Sequence, residues 1–152
     1  MEIRDAQGHL LFTYDGDLMR ADLDGVDLTG AILEKANLEG VAWCGTNLQQ
    51  ANLREANLYL AILFTSTLSR ADLRLANLQG ADLKETNLCR ANLRDADLRR
   101  SNIETSTKLE GADLRDAQIE GADFRGAEYD ERTLFPEAFN PEQQEMVFRR
   151  IE

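Results

Sequence analysis

Between Gly16 and Tyr129 the large apolar residues recur neither at every second position nor at every third or fourth, but at every fifth. Such centres run from Leu18 to Ile103 in steps of five and resume from Leu109 to Tyr129, 23 in all, most of them leucine, with Trp43, Ile103, Ile119, Phe124 and Tyr129 replacing it. Two residues before each centre the side chain is compact: alanine at Ala21, Ala51, Ala91 and twelve other units, elsewhere Gly16, Val26, Val41 or a small hydroxyl such as Thr46, Ser66, Thr86 or Ser101. Five residues of helix advance about 500°, which would scatter successive centres about 140° apart, so the pattern excludes an amphipathic helix. In extended chain, residues two apart share a face, so Ala21 and Leu23 point inward together, whereas the next inward residue, Val26, comes three later. A bend therefore belongs in every unit. Eight of the ten glycines, Gly25 and Gly80 among them, fall two residues after a centre, where a tight turn calls for positive φ. The Asp or Asn that precedes most centres suits side-chain bonds to turn backbone.

Charge and composition narrow the class. The 152 residues carry 28 acidic and 17 basic side chains, a net charge of −11, and only two cysteines, Cys44 and Cys89. Neither a disulfide scaffold nor a membrane span fits. Met1 to Asp5 has no basic, then apolar, leader, so a cytoplasmic protein with reduced thiols is expected. With a single histidine, His9, outside the repeat, and two cysteines on different faces, no catalytic or zinc-binding constellation is expected, and no metal or cofactor.

The Ala-(Asp/Asn)-Leu-x-x units, clear at Ala21-Asp22-Leu23, Ala51-Asn52-Leu53 and Ala91-Asn92-Leu93, resemble the pentapeptide-repeat proteins across residues 16–129. The resemblance implies an all-β fold, a right-handed quadrilateral parallel β-helix with four units to a coil, nearly six coils, with the centre and the small residue inside. Equivalent outward positions would then lie 20 residues apart. The six-residue step from Ile103 to Leu109 reads as one extra residue, Ser106, in a small bulge. Open ends need caps. Residues 1–15 suggest a hairpin turning at Asp5-Ala6-Gln7-Gly8. In residues 130–152, Asn140-Pro141-Glu142-Gln143 suggests a capping helix to about Ile151 that closes the last coil with Met146, Val147 and Ile151.

Three surfaces merit attention. Tyr59, Leu60, Ile62 and Phe64 all point outward around one corner and form an apolar patch suited to a protein partner. Arg54, Arg74, Arg94 and Arg115 would stack as a column, most simply an ion-pair ladder with the acids beside it and less simply an anion site. The family also contains acidic rods that engage DNA gyrase as mimics of duplex DNA. Residues 1–40 carry 9 acids and 3 bases but residues 41–90 only 4 and 5, which weakens that alternative, as does the expected absence of projecting loops. The reading is a non-enzymatic scaffold, monomeric or weakly dimeric, that binds an unidentified protein, with no direct contact to nucleic acid or membrane. A DNA-mimicking modulator of gyrase or topoisomerase is the alternative.

Overall fold

The computed structural model describes residues 1–151. Strands β1 (Glu2–Arg4) and β2 (Leu10–Thr13) form an antiparallel hairpin. Its turn is held by the Asp5 carboxylate, which accepts the N–H groups of Gln7 and His9 (2.9 and 2.8 Å) and contacts the His9 ring. The hairpin lies on the first coil: Ile3 is buried, and the Ile32 N–H donates to the Arg4 carbonyl at 2.9 Å.

From there the chain winds as a four-sided β-helix built of parallel bridges. One line of bridges runs from Asp22 through Ala42 and Ile62 to Asp82, each step 20 residues. A single unit shows how the period of five arises. The Asn52 N–H donates to the Ala31 carbonyl one coil back (2.9 Å), while the Leu53 N–H donates to Asp72 one coil on (2.8 Å). The Glu55 N–H donates forward to Arg74 (2.9 Å), and the Ala56 N–H closes the corner on the Leu53 carbonyl (3.0 Å). Three residues are extended and two make the turn, whose second residue has positive φ as a type II turn requires. Glycine fits there, but Leu60 and Glu55 hold φ 57 and 56 at the same position, a conformation that costs an L-residue roughly 1 kcal/mol.

The interior repays that strain. The centres from Leu18 to Leu98 are buried, as are their alanines apart from half-buried Ala36, and each large side chain contributes about 1.5–3 kcal/mol as an upper bound. The hydroxyl residues in the small position are also bonded: Thr46 Oγ1 donates to the Leu23 carbonyl and Thr86 Oγ1 to Leu63, both at 2.8 Å, and Ser66 Oγ to Trp43. Trp43 fills one centre completely, with no partner for its indole N–H among the described residues.

Two expectations need correction. Ile103 is no inward centre, and the irregularity is larger than one residue. Asp82 pairs with Lys108, 26 residues on, so six residues leave the coil as a loop. Ser101 donates its N–H to the Thr105 carbonyl (2.8 Å), closing the loop at its base, and Ile103 at its tip is 61% exposed. Thr107 then resumes the small position. Its Oγ1 accepts the Gly80 N–H (2.9 Å) and sits 3.0 Å from the Leu78 and Arg99 carbonyls, plugging the gap that the detour opens.

The C-terminal capping helix is also absent; no α-helix occurs among the described residues. Asn140 does cap a turn, accepting the N–H groups of Glu142 and Gln143 (3.0 and 3.3 Å), but Glu145 then adopts φ 54 and ends it. The chain instead makes another rung: β4 (Val147–Phe148) pairs in parallel with β3 (Glu128–Tyr129). A rung satisfies backbone groups of the last coil that a helix lying across the end would leave unpaired. Aromatic residues fill this end, Phe124 against Phe139 (5.3 Å between centroids) and Tyr129 against both Phe135 (5.6 Å) and Phe148 (5.4 Å).

Corner packing yields a testable contrast. A Cβ added at Gly25 would meet nothing within 4 Å, whereas at Gly80 it would lie 2.7 Å from Leu60 Cδ2. Gly25→Ala should cost only the backbone strain, roughly 1 kcal/mol, and Gly80→Ala distinctly more, read as shifts in the urea midpoint. Equal shifts would mean that Leu60 is free to move aside.

Candidate functional site

The corner that carries the apolar patch is shaped by the loop. Tyr59 and Leu60 follow the centre Leu58 and lie half-buried, and the Tyr59 hydroxyl donates to Asn102 Oδ1 at 2.5 Å, tying the loop to the rod. Leu60 occupies the space that Gly80 leaves one coil on, beside Ser101 and Thr105. Ile62 and Phe64, by contrast, are 42% and 38% exposed. Ile62 lies between Ala42 and Asp82 in its line of bridges, and Lys84 stands over the Phe64 ring, 6.0 Å from its centroid. The four residues expected to form one patch are thus divided: two support the loop from beneath and two face solvent. Sequence reasoning missed Ile103 as a surface residue because its five-residue spacing from Leu98 fits the repeat. The warning is in the polar run Glu104-Thr105-Ser106, which offers no glycine and no small residue before a centre.

The arginine column also changes. Arg54, Arg74 and Arg94 are stacked as expected, but the six-residue detour moves Arg115 to the next face. Asn87 pairs with Asp113, which sets Arg115 one coil on from Cys89. The residue one coil on from Arg94 is Glu120, and the two pair at 3.0 Å. Each guanidinium already has a carboxylate: Arg54 has Glu34 and Glu55 (3.7 and 3.2 Å), Arg74 has Asp72, and Arg115 has Asp113 (2.7 Å).

These pairs belong to a recurrent local device. The Asp or Asn before a centre accepts the N–H two residues on, as Asn57 does from Tyr59 (3.2 Å) and Asn77 from Gln79 (3.2 Å). Where the residue two on is arginine, the guanidinium folds back onto the same carboxylate, in Asp72 with Arg74, Asp97 with Arg99, Asp113 with Arg115 and Asp123 with Arg125, and Asp130, which follows the centre Tyr129, holds Arg132 in the same way. The arginine's hydrogen bond is the leading cause that holds Asp72, Asp113 and Asp123 below the usual carboxylate range. At Asp97 and Asp130 burial pushes upward, but the arginine and backbone N–H bonds outweigh it and the pKa is again lowered. Glu110, one coil on from Lys84, is the contrary case: burial raises its pKa, and its Oε2 has no partner among the described residues.

Asp130 anchors the last turn. Its side chain is 1% exposed and accepts the N–H groups of Gly111 (2.9 Å), Arg132 (3.0 Å) and Thr133 (3.1 Å). A depressed carboxylate adds stability above its unfolded value of about 3.9 and loses it as pH falls through the lower folded value. Asp130→Ala should therefore cost about 2–3 kcal/mol at neutral pH. In urea titrations the gap between variant and parent should close as pH drops below about 3.9. A gap that persists there would assign the effect to packing rather than charge.

A family model for Pentapeptide repeats matches in eight copies over residues 16–40, 31–70, 66–104 and 105–128. Among solved structures, alr5209, a pentapeptide repeat protein from Nostoc Pcc 7120, is 35% identical over 71% of this chain and 84% of its own, with a TM-score of 0.66. HetL, a pentapeptide repeat protein involved in heterocyst differentiation regulation in the cyanobacterium Nostoc sp. strain PCC 7120, is 32% identical over 75% of this chain and 58% of its own, with a TM-score of 0.55. QnrB1, a plasmid-mediated fluoroquinolone resistance protein, is 19% identical over 90% and 88% of the two chains, TM-score 0.59, a likeness of fold alone. No curated protein matches the chain.

Proposed function

The chain belongs to the pentapeptide-repeat family, and we propose that it works without catalysis, as a scaffold that binds a partner protein through one corner of the rod. The observation that carries this reading is the exposure of Ile62 and Phe64 on a surface otherwise laced with ion pairs. Burying them against a partner releases apolar surface from water, and an aromatic side chain is a favoured anchor. A rigid rod keeps that pair in place before contact, so little ordering entropy opposes binding. Tyr59 and Leu60 act from below by holding the loop whose tip, Ile103, is itself exposed. The proposal takes the chain as a cytoplasmic monomer or weak homodimer, with no cofactor and no direct nucleic-acid or membrane contact.

The alternative, a DNA mimic acting on gyrase, has the net charge of −11 in its favour, and the loop removes one objection to it. Against it, Asp72, Asp97, Asp113, Asp123 and Asp130 each hold an arginine. The sides of the rod therefore lack the unbroken negative potential of duplex phosphates.

An Ile62→Glu, Phe64→Glu double variant should lose a partner captured from native lysate, with affinity reduced by about 2 kcal/mol or more. Leu75→Glu should retain it, since Leu75 is more exposed still but on another corner. Retention of the partner by the double variant, with circular dichroism unchanged, would remove the corner as the site.

A further inference from the structure

We propose a second docking site at the C-terminal end of the rod: an unfilled rung between Ala117 and Gly121 that takes a short extended peptide with an apolar residue followed by a basic one. The evidence is a comparison of two successive coils. One coil back, the Ala91 carbonyl accepts the Gln118 N–H (2.9 Å), the Leu93 N–H donates to the Gln118 carbonyl (2.7 Å), and the Asp95 N–H donates to the Glu120 carbonyl (3.0 Å). The corresponding groups one coil on are the Ala117 carbonyl and the N–H groups of Ile119 and Gly121. None of the three has a hydrogen-bond partner among the described residues. On the preceding face the chain supplies the next rung itself, Leu134 on Asp113, and it does so again on the opposite face, Val147 on Glu128, while the two faces between, at Gln118 and Asp123, carry no further bridge among the described residues. Here it bows outward instead through residues 136–145, leaving an open cleft of about 770 Å³ between that segment and the rung.

The same register dictates what fits. A peptide continuing the ladder puts its first residue over Gln118, its second over Ile119 and its third over Glu120. The second faces inward, toward half-buried Ile119 and the Phe124 and Phe139 rings, and should be apolar. The third faces outward over Glu120, in a cleft whose walls carry Glu120, Asp123, Glu137 and Glu145 against the single cation Arg125. Asp123 is neutralised by Arg125 and Glu120 is shared with Arg94, but Glu137 and Glu145 have no ion pair among the described residues. A lysine or arginine there meets complementary charge. This site lies apart from the Ile62 and Phe64 corner, and neither depends on the other.

The test uses the full chain, uniformly ¹⁵N-labelled, with two blocked synthetic peptides, Ala-Gln-Leu-Lys-Gly and Ala-Gln-Leu-Glu-Gly. The lysine peptide should shift the Ile119 and Gly121 amide signals and slow their hydrogen exchange, while the glutamate peptide binds roughly tenfold more weakly. Glu137→Lys with Glu145→Lys, both exposed side chains, should narrow or reverse that preference without altering the melting temperature. Shifts confined to other residues, or equal affinity for the two peptides, would overturn the proposal. So would a preference for lysine that survives the charge reversal.

Discussion

Through the body of the rod the centre's N–H reaches forward to the next coil while the residue before it reaches back, and this ladder works only if twenty residues bring the chain around to the same place. The constraint fixes the five-residue unit, because three extended residues can bridge and two must turn. It also accounts for the strain at the corners, where Glu55 and Leu60 hold positive φ: each costs roughly 1 kcal/mol, less than the burial of one leucine contributes. Because each coil bonds chiefly to its two neighbours, stability propagates along the rod and the ends have to be closed separately, by the hairpin at one and by the aromatic cluster at the other.

Surface chemistry follows from the same register. A residue's neighbours along the rod are those 20 positions away, so Lys84 comes to stand over Phe64. Once the loop adds six residues, Arg94 faces Glu120 instead of a fourth arginine. That contact is attractive, where a fourth arginine would repel. The loop also leaves Ile103 exposed at its tip while Tyr59 and Leu60 hold its base.

The β-helix is legible in the chain because its signal is local and repeated: leucine, alanine and the turn residues all say the same thing many times over. What was not legible depends on competition between partners far apart in sequence. Ile103 matches the repeat as well as Leu98 does, yet Thr107 fills the interior because its hydroxyl bridges the Gly80 N–H and the Arg99 carbonyl. Asn140 caps a turn as its sequence suggests, but Val147 and Phe148 are drawn to the free edge at Glu128 and Tyr129, and a local helical preference gives way. Of the apolar corner, the outward direction of its side chains was readable. Its division into a buried support and an exposed pair was not, since that rests on the Tyr59 contact with Asn102, 43 residues away.

The claim that the twenty-residue ladder governs this protein is tested most directly by deleting residues 101–106, which joins Arg100 to Thr107 and restores an unbroken register. The measurement is thermal unfolding followed by far-ultraviolet circular dichroism. The expected result is a folded protein with one cooperative transition and a melting temperature within about 4 °C of the parent, the shift that about 1 kcal/mol produces in a domain of this size. Loss of the transition, or a spectrum without β structure, would contradict the account, because the loop would then be holding the coils together rather than interrupting them.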